Sequence, residues 1–159
     1  MPNINYSLGK DYLTFSGVDS GVIYYIQSWD GLGLTTEDAT TSSFYGPIYN
    51  PGGTLIYNTL SVMFAMDEEW RVFENITKMV IQNTVFDNSS SQPILTDITL
   101  HLMSNTYQKE VAQILMHDGY IQSIQNVQNI YNTDDNTRTK TLQAIIKYQY
   151  HEFIRLEDA

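Results

Sequence analysis

The sequence predicts a mainly β protein with one long helix and one long excursion between strands. Three observations carry that expectation. Apolar and polar residues alternate with a period of two in most segments, most clearly in the closing KTLQAIIKYQYHEF. The period changes to three and four residues only in DEEWRVFENITKMVIQN. Between Asp30 and Gly53 the stretch DGLGLTTEDATTSSFYGPIYNPGG is rich in Gly, Thr, Ser and Pro and shows no period at all.

The chain has 159 residues, the size of one ordinary domain, which buries about two thirds of its unfolded surface. Apolar residues make up 42% and aromatics 13%, enough to offset the entropy of folding and to exclude a disordered chain. With 18 acids against 8 bases the net charge is -10, which excludes a Lys/Arg surface gripping duplex nucleic acid. The absence of cysteine excludes disulfides and thiolate metal sites. The opening MPNINYSLGKDYL has no basic segment followed by an apolar one, and no run approaches the ~18 apolar residues of a membrane span. Neither a secretory leader nor a membrane span is expected.

Residues 1–20 are polar with scattered aromatics and read as an arm or loop, or short edge pairing, leaving 21–159 as one domain. GVIYYIQSW, Gly21 to Trp29, is β-branched and aromatic and reads as a strand. Asp30 to Gly53 reads as a long loop or open hairpin, of a length that a compact domain keeps for function or for a partner. Leu55 to Met66 reads as a strand with Leu60, Val62, Phe64 and Met66 on one face. The helix follows, with Trp70, Phe73, Ile76 and Val80 among its inward stripe.

TVFDNSSSQP, Thr84 to Pro93, reads as a turn-rich connection. Three alternating segments come after it, in ILTDITLHLM, KEVAQILMH and YIQSIQNVQNIY; NTDDNT makes a turn; and the last segment sends Leu142, Ala144, Ile146, Tyr148 and Tyr150 one way. No internal repeat and no dividing linker is present.

Asp67 stands where the period switches, so it is placed as the helix N-cap, with Glu68 and Glu69 in the first turn, where the helix dipole favours each by ~0.3–1 kcal/mol. Three successive acids at a helix start point in different directions, and a metal would need ligands converging from elsewhere. NTDDNT offers Asn132, Asp134 and Asn136 in the manner of a calcium loop. Thr137 then replaces the turn glycine, and Gln143 stands where a bidentate glutamate belongs. His101, His117 and His151 lie in alternating segments with no metal-binding spacing and read as solvated or hydrogen-bonded strand positions. Nucleophile-elbow, phosphate-loop and dinucleotide motifs are missing, and no cofactor or catalytic set is expected. Dense in Tyr, Gln and Asn and poor in charge, the chain is suited to contacts along its backbone and flat faces.

That order of elements resembles a family. From about Ile26 to Ile154 the chain is similar to the tail-tube proteins of contractile-tailed bacteriophages and to their baseplate homologues that initiate the tube. The resemblance rests on GLGL (Gly31 to Leu34) before the Thr/Ser-rich stretch, NPGGTLIYNTLSVMFAMDEEW (Asn50 to Trp70), LTDITLHLMSN (Leu95 to Asn105) and TKTLQAIIKYQYHEF (Thr139 to Phe153). Residues 1–20 show no opening strand of the kind a main tube subunit carries, and HDGYIQSIQNVQN lacks the proline found at that bend in the family.

The resemblance implies an antiparallel β-sandwich or barrel with one flanking helix, assembling into hexameric rings that stack as a tube. It implies a structural virion protein of the phage tail, made in the host cytoplasm, with sheath, baseplate and tape-measure proteins as partners. DNA would pass transiently through the channel without specific binding. Thr35, Thr36, Phe44, Tyr45, Pro47 and Tyr49 of the long loop are then expected to contact a neighbouring subunit. Asp97, Thr99, Gln122 and Gln128 are candidates for the lumen, whose acids would repel phosphate. A tube subunit, a tube-initiating baseplate ring, and a non-tail β-sandwich adaptor docking through Asp30 to Gly53 all remain open at this point. An enzyme built on carboxylates would need a pocket that gathers distant acids.

Overall fold

The computed structural model describes residues 11–16, 22–50, 52–83, 95–104, 109–134 and 137–156. In chain order these form β1 (Tyr12–Phe15), β2 (Tyr24–Gly31), β3 (Leu34–Thr36), β4 (Ala39–Ser43), β5 (Gly46–Asn50), β6 (Leu55–Tyr57) and β7 (Leu60–Ala65). They continue with α1 (Arg71–Gln82), β8 (Thr96–Met103), β9 (Glu110–Asn132), β10 (Thr137–Lys147) and β11 (Tyr150–Arg155).

Among the described residues every strand pairing is antiparallel. The main strands run in the order β10-β7-β2-β1-β8-β9-β11, and a further pairing of β9 with β10 closes the circuit. The result is a flattened barrel of two sheets that share β2 and β9. β9 is 23 residues long: its first half pairs with β8 and β11, its second half with β10. One strand can serve two sheets because it bends, with Asp118 at φ 52 and register shifts against β10 where Gln122 and Gln125 stand as extra residues.

Alternation then builds the core. Leu13, Tyr24, Leu60, Val62, Phe64, Ile98, Leu100, Met116, Leu142, Ala144 and Ile146 are fully buried, each such large side chain contributing about 1.5–3 kcal/mol. Phe15, Tyr24 and Phe64 interlock edge to face, with centroids 5.2 and 6.2 Å apart. Ile76 and Met79 of α1 complete the same cluster, with Trp70, Phe73 and Val80 packed half-buried against it. Of the four residues expected inward, Ile76 is fully buried and Trp70, Phe73 and Val80 are partly so.

Several expectations are corrected. Tyr12–Phe15 is neither arm nor edge pairing but an interior strand between β2 and β8, with Leu13 and Phe15 in the core. Four residues are too few to show a period. Asp11 anchors this strand: its carboxylate accepts from Trp29 Nε1 at 2.8 Å and from the Met103 backbone N–H at 2.9 Å. The strand foreseen to Trp29 runs on to Gly31, and Leu55 to Met66 divides into β6 and β7 at Asn58 and Thr59. The two segments read between Lys109 and Tyr131 are one strand, because the Gln/Asn-rich half hides its period behind two bulges. The closing segment breaks at Tyr148 and Gln149, so Tyr150 faces solvent rather than the core. Helix α1 begins at Arg71, four residues beyond the expected cap. The foreseen Thr84 to Pro93 connection lies outside the described residues.

Candidate functional site

The stretch expected to be a long loop or open hairpin is a hairpin, a two-stage β-ribbon arm. β3 pairs with β6 (Leu34 opposite Tyr57, Thr36 opposite Leu55), and further out β4 pairs with β5 (Ala39 opposite Asn50, Ser43 opposite Gly46). Thr35 and Thr36 sit on β3, Pro47 and Tyr49 on β5, and Phe44 and Tyr45 form the tip. The sequence left loop and hairpin open because the stretch shows no period-2 alternation and is interrupted by Gly and Pro.

Where the arm leaves the barrel, Gly31 has φ +126, and a Cβ there would stand 2.3 Å from the Thr59 carbonyl oxygen. Only glycine fits that approach. At the tip, Ser43 Oγ donates to the Gly46 carbonyl at 2.7 Å, and Gly46 takes φ +120 to close the turn.

The arm is exposed on both faces. Residues directly opposite in an antiparallel ladder share a face, so Leu34, Leu55 and Tyr57 lie on one side and Ile56 on the other, while Ile48 and Tyr49 point oppositely from β5. Phe44 and Tyr45 are each 96% exposed and meet one another edge to face at 5.4 Å. A two-stranded ribbon is marginal alone in water, and one carrying this much apolar surface calls for a covering partner.

The root of the arm is fastened. Tyr148 Oη donates to the Asn58 carbonyl at 2.6 Å, His151 Nδ1 lies 3.3 Å from the same hydroxyl, and Tyr57 packs edge to face on both rings. Burial, then Tyr57, pushes the Tyr148 hydroxyl up to about 12, and burial pushes His151 down. Nothing in the spacing of Asn58, Tyr148 and His151 signals this cluster, since the break between β10 and β11 creates it.

The barrel presents two unlike outer faces. Along β2, β7, β10 and β9 the outward residues include Ser28, Ser61, Gln143, Thr139, Asn126 and Gln128, with Met63, Ala65 and Ile145 between them. Two charges point the same way, Asp30 opposite Ser61 and Lys147 at the end of β10. The other face, on β1, β8, β9 and β11, is charged and aromatic. There His101 stacks on Tyr12 at 4.3 Å and contacts Thr14 Oγ1 at 3.0 Å and the Glu110 carboxylate. His117 stacks on Tyr150 at 4.4 Å, with Asp97 at 3.7 Å and Glu152 at 3.5 Å. Burial and then the Glu110 charge raise the Tyr12 hydroxyl.

The four lumen candidates therefore do not share a face. Asp97 and Thr99 belong to the charged face on β8, Gln128 to the neutral one, and exposed Gln122 stands in the β9 bulge. The three acids before the helix also separate. Asp67 is not the N-cap residue, a position Trp70 takes with φ 61, but its carboxylate reaches the free Val72 N–H at 3.3 Å. Glu68 and Glu69 lie in the turn ahead of the helix, and Glu69 pairs with Arg71 at 2.7 Å. Among the described residues no three His, Cys, Asp or Glu side chains gather as a metal site would require. The recess between barrel and helix, lined by Phe15, Met79 and Tyr120, holds about 20 Å³, room for roughly one water.

No family model and no curated protein matches the sequence. Solved structures do match the fold. A chain of the sheath–tube complex of the PVC extracellular contractile injection system, in its extended state, superposes with a TM-score of 0.62 at 11% identity, covering 93% of this chain and 90% of that one. A chain of the anti-feeding prophage baseplate, six-fold symmetrised, gives 0.62 at 11% identity, covering 91% of each. A type six secretion system protein gives 0.57 at 11% identity, covering 91% of this chain and 82% of that one. The chain therefore has the tail-tube fold seen in contractile injection systems.

Proposed function

We propose that this protein is the ring-forming structural subunit of a contractile tail-like tube. Six copies make a ring, rings stack, and the arm from Leu34 to Tyr57 covers its apolar surface on an adjacent copy. The observation that carries this reading is the arm itself: a fastened ribbon with apolar side chains on both faces that the described residues leave exposed. The tail-tube fold and the six-fold symmetry named for the similar baseplate structure support it.

Free strand edges supply the ring. Among the described residues no strand pairs with the far side of β9 along Gln122–Ile130, nor with β2 along Gln27–Asp30 on the side away from β7. These are the two lateral edges of the four-stranded β2-β7-β10-β9 sheet, so that sheet can continue head to tail into the next copy. A heterologous contact of this kind closes as a ring when its rotation allows. Its neutral outer face then lines the channel, Gln128 with it. Asp97 and Thr99 look outward.

Sheath and baseplate proteins are the partners this reading calls for. The phage virion, the tape-measure protein and DNA as transient cargo are carried by the sequence resemblance. Residues 21–159 act as one tube-type domain, with Tyr12–Phe15 built into it, and the role is structural rather than enzymatic. A tube-initiating baseplate ring is the second reading, favoured by the likeness to a baseplate chain.

The test is excision of the outer ribbon, Ala39 to Asn50, in favour of a short Gly-Ser turn. The barrel should keep its melting transition while ring formation is lost. Rings that form unchanged would contradict the assigned role of the arm.

A further inference from the structure

The four-stranded sheet of β2, β7, β10 and β9 has two unlike ends. At one end Gly31, Leu60 and Ile146 stand side by side, and the arm leaves there. At the other end β7 stops with Ala65 opposite Thr141, while β10 and β9 run on as a two-stranded ribbon: Lys140 opposite Asn129, Thr139 opposite Ile130, Arg138 opposite Tyr131. Val127 and Ile130 are exposed on opposite faces of β9 there. Two bases flank them, Arg138 over the Tyr131 ring and Lys140 over the Trp70 ring, each at 5.7 Å, and the turn beyond carries Asp134. The β2 edge, Gln27–Asp30, is shorter than the β9 edge, Gln122–Ile130, so pairing within a ring leaves part of the ribbon uncovered.

The inner stage of the arm is the complement of this ribbon. Leu34 and Leu55 are exposed on one face of the β3–β6 ladder, and Glu37 and Asp38 follow β3 directly. Both acids are exposed, and among the described residues neither has an ion-pair partner. Resting on the reading of this chain as a stacked ring subunit, we propose that the end of the β9–β10 ribbon is the axial contact between rings. It seats on the β3–β6 stage of an arm in the adjacent ring, Ile130 against Leu34 and Leu55, and Arg138 against Glu37 and Asp38. Its partner is thus a second copy of this chain.

Identical rings that stack head to tail bring unlike ends together, which is the heterologous contact these two surfaces fit. The apolar side chains supply area, and the charges set register and direction. Arm end on arm end would instead set Glu37 and Asp38 of one ring against the same acids of the next, so the charges also fix the polarity of the stack. The two stages of the arm then divide the work: β3–β6 holds the next ring, and β4–β5 with the Phe44–Tyr45 tip is left for a neighbour within the ring.

The native chain has no cysteine, so a pair can be placed as a probe. A chain carrying both Ile130→Cys and Leu55→Cys is assembled and treated with a short bis-maleimide. Within one copy the two positions lie toward opposite ends of the sheet, roughly 30 Å apart at ~3.3 Å per residue along β10, beyond the reach of the reagent. Denaturing gels should show a ladder that runs past six copies, because each link joins one ring to the next. Either single-cysteine variant should give no ladder. In parallel, Arg138→Glu or Glu37→Arg should each raise the concentration at which tubes grow about tenfold with rings kept, and the two together should restore it to within about threefold.

Failures at the two levels are distinguishable. No rings from the native protein would sink the proposed function itself. Rings that form but never stack, tubes that give no ladder, or a ladder that stops at six copies would overturn the ribbon contact and leave the ring in place. Charge reversals that do not rescue one another would overturn the pairing of Arg138 with the arm acids.

Discussion

The Tyr148 hydroxyl donates to the Asn58 carbonyl at 2.6 Å, which leaves its oxygen free to accept from His151 Nδ1 at 3.3 Å. With the phenolic proton committed to Asn58, the histidine must supply the second hydrogen, so the Nδ1–H tautomer is the one that fits. This relay joins the point where the arm re-enters the barrel to the break between β10 and β11.

Tyr148→Phe should therefore lower stability by about 1–3 kcal/mol, since the Asn58 carbonyl loses its donor at a site where Tyr148 is 6% exposed. Denaturant midpoints of the two proteins measure it. The relay also predicts an alkaline limb. Folding raises the Tyr148 pKa from 10.0 to about 12, so the folded state holds this proton longer than the unfolded one. The resulting stability is complete below pH 10.0 and is lost as pH rises toward 12. The Phe variant should lack this component of the alkaline loss.

His151 predicts the opposite limb. Burial lowers its pKa below the ordinary 6.5, so the unfolded state takes up the proton first. Its contribution is present above pH 6.5 and falls away as pH drops through the folded value. Melting temperatures between neutral and mildly acidic pH should decline less in His151→Gln than in the native protein. Equal declines would remove His151 from the account.

The helix packs through Ile76, which is fully buried, while Lys78 is exposed and paired with Glu74 at 3.0 Å. Ile76→Ala should cost about 2–5 kcal/mol by opening a cavity against the barrel, and Lys78→Ala no more than about 0.5 kcal/mol. Chemical denaturation separates them by a large margin. Identical midpoints would mean that the helix is not seated as described.

Asp67 and Glu68 are adjacent acids with different work. Asp67→Ala should lower stability by about 0.5–2 kcal/mol, because the Val72 N–H loses its carboxylate, whereas Glu68→Gln should change little. Calcium, magnesium or zinc at modest concentration should leave the melting temperature where it was, since only a ligand of the folded state can raise it. A saturable rise removed by Glu68→Gln would instead assign a metal to these acids.

Much of this architecture was legible because burial enforces alternation. Leu60, Val62 and Phe64, or Leu142, Ala144 and Ile146, announce both strand and inward face, and Trp70 to Val80 announce a helix. The arm was legible only as a loop or open hairpin because a ribbon without a core behind it has no reason to alternate; Thr, Ser, Gly and Pro there satisfy ladder and turn geometry alone. The split of β9 between two sheets was hidden by bulges that interrupt the period. The separation of Asp97 and Thr99 from Gln128 could not be read from any local pattern, since it depends on which strands close the barrel.

The central claim is that copies of this chain close into rings through the β2 and β9 edges and the arm. Electron cryo-microscopy of the purified protein tests it most directly. The account predicts six-fold rings, or tubes of stacked rings, with Ser61 and Gln143 facing a central channel and the Phe44–Tyr45 tip buried on an adjacent copy. Monodisperse monomers at every concentration tried, or rings with Thr99 and Asp97 toward the channel, would contradict it.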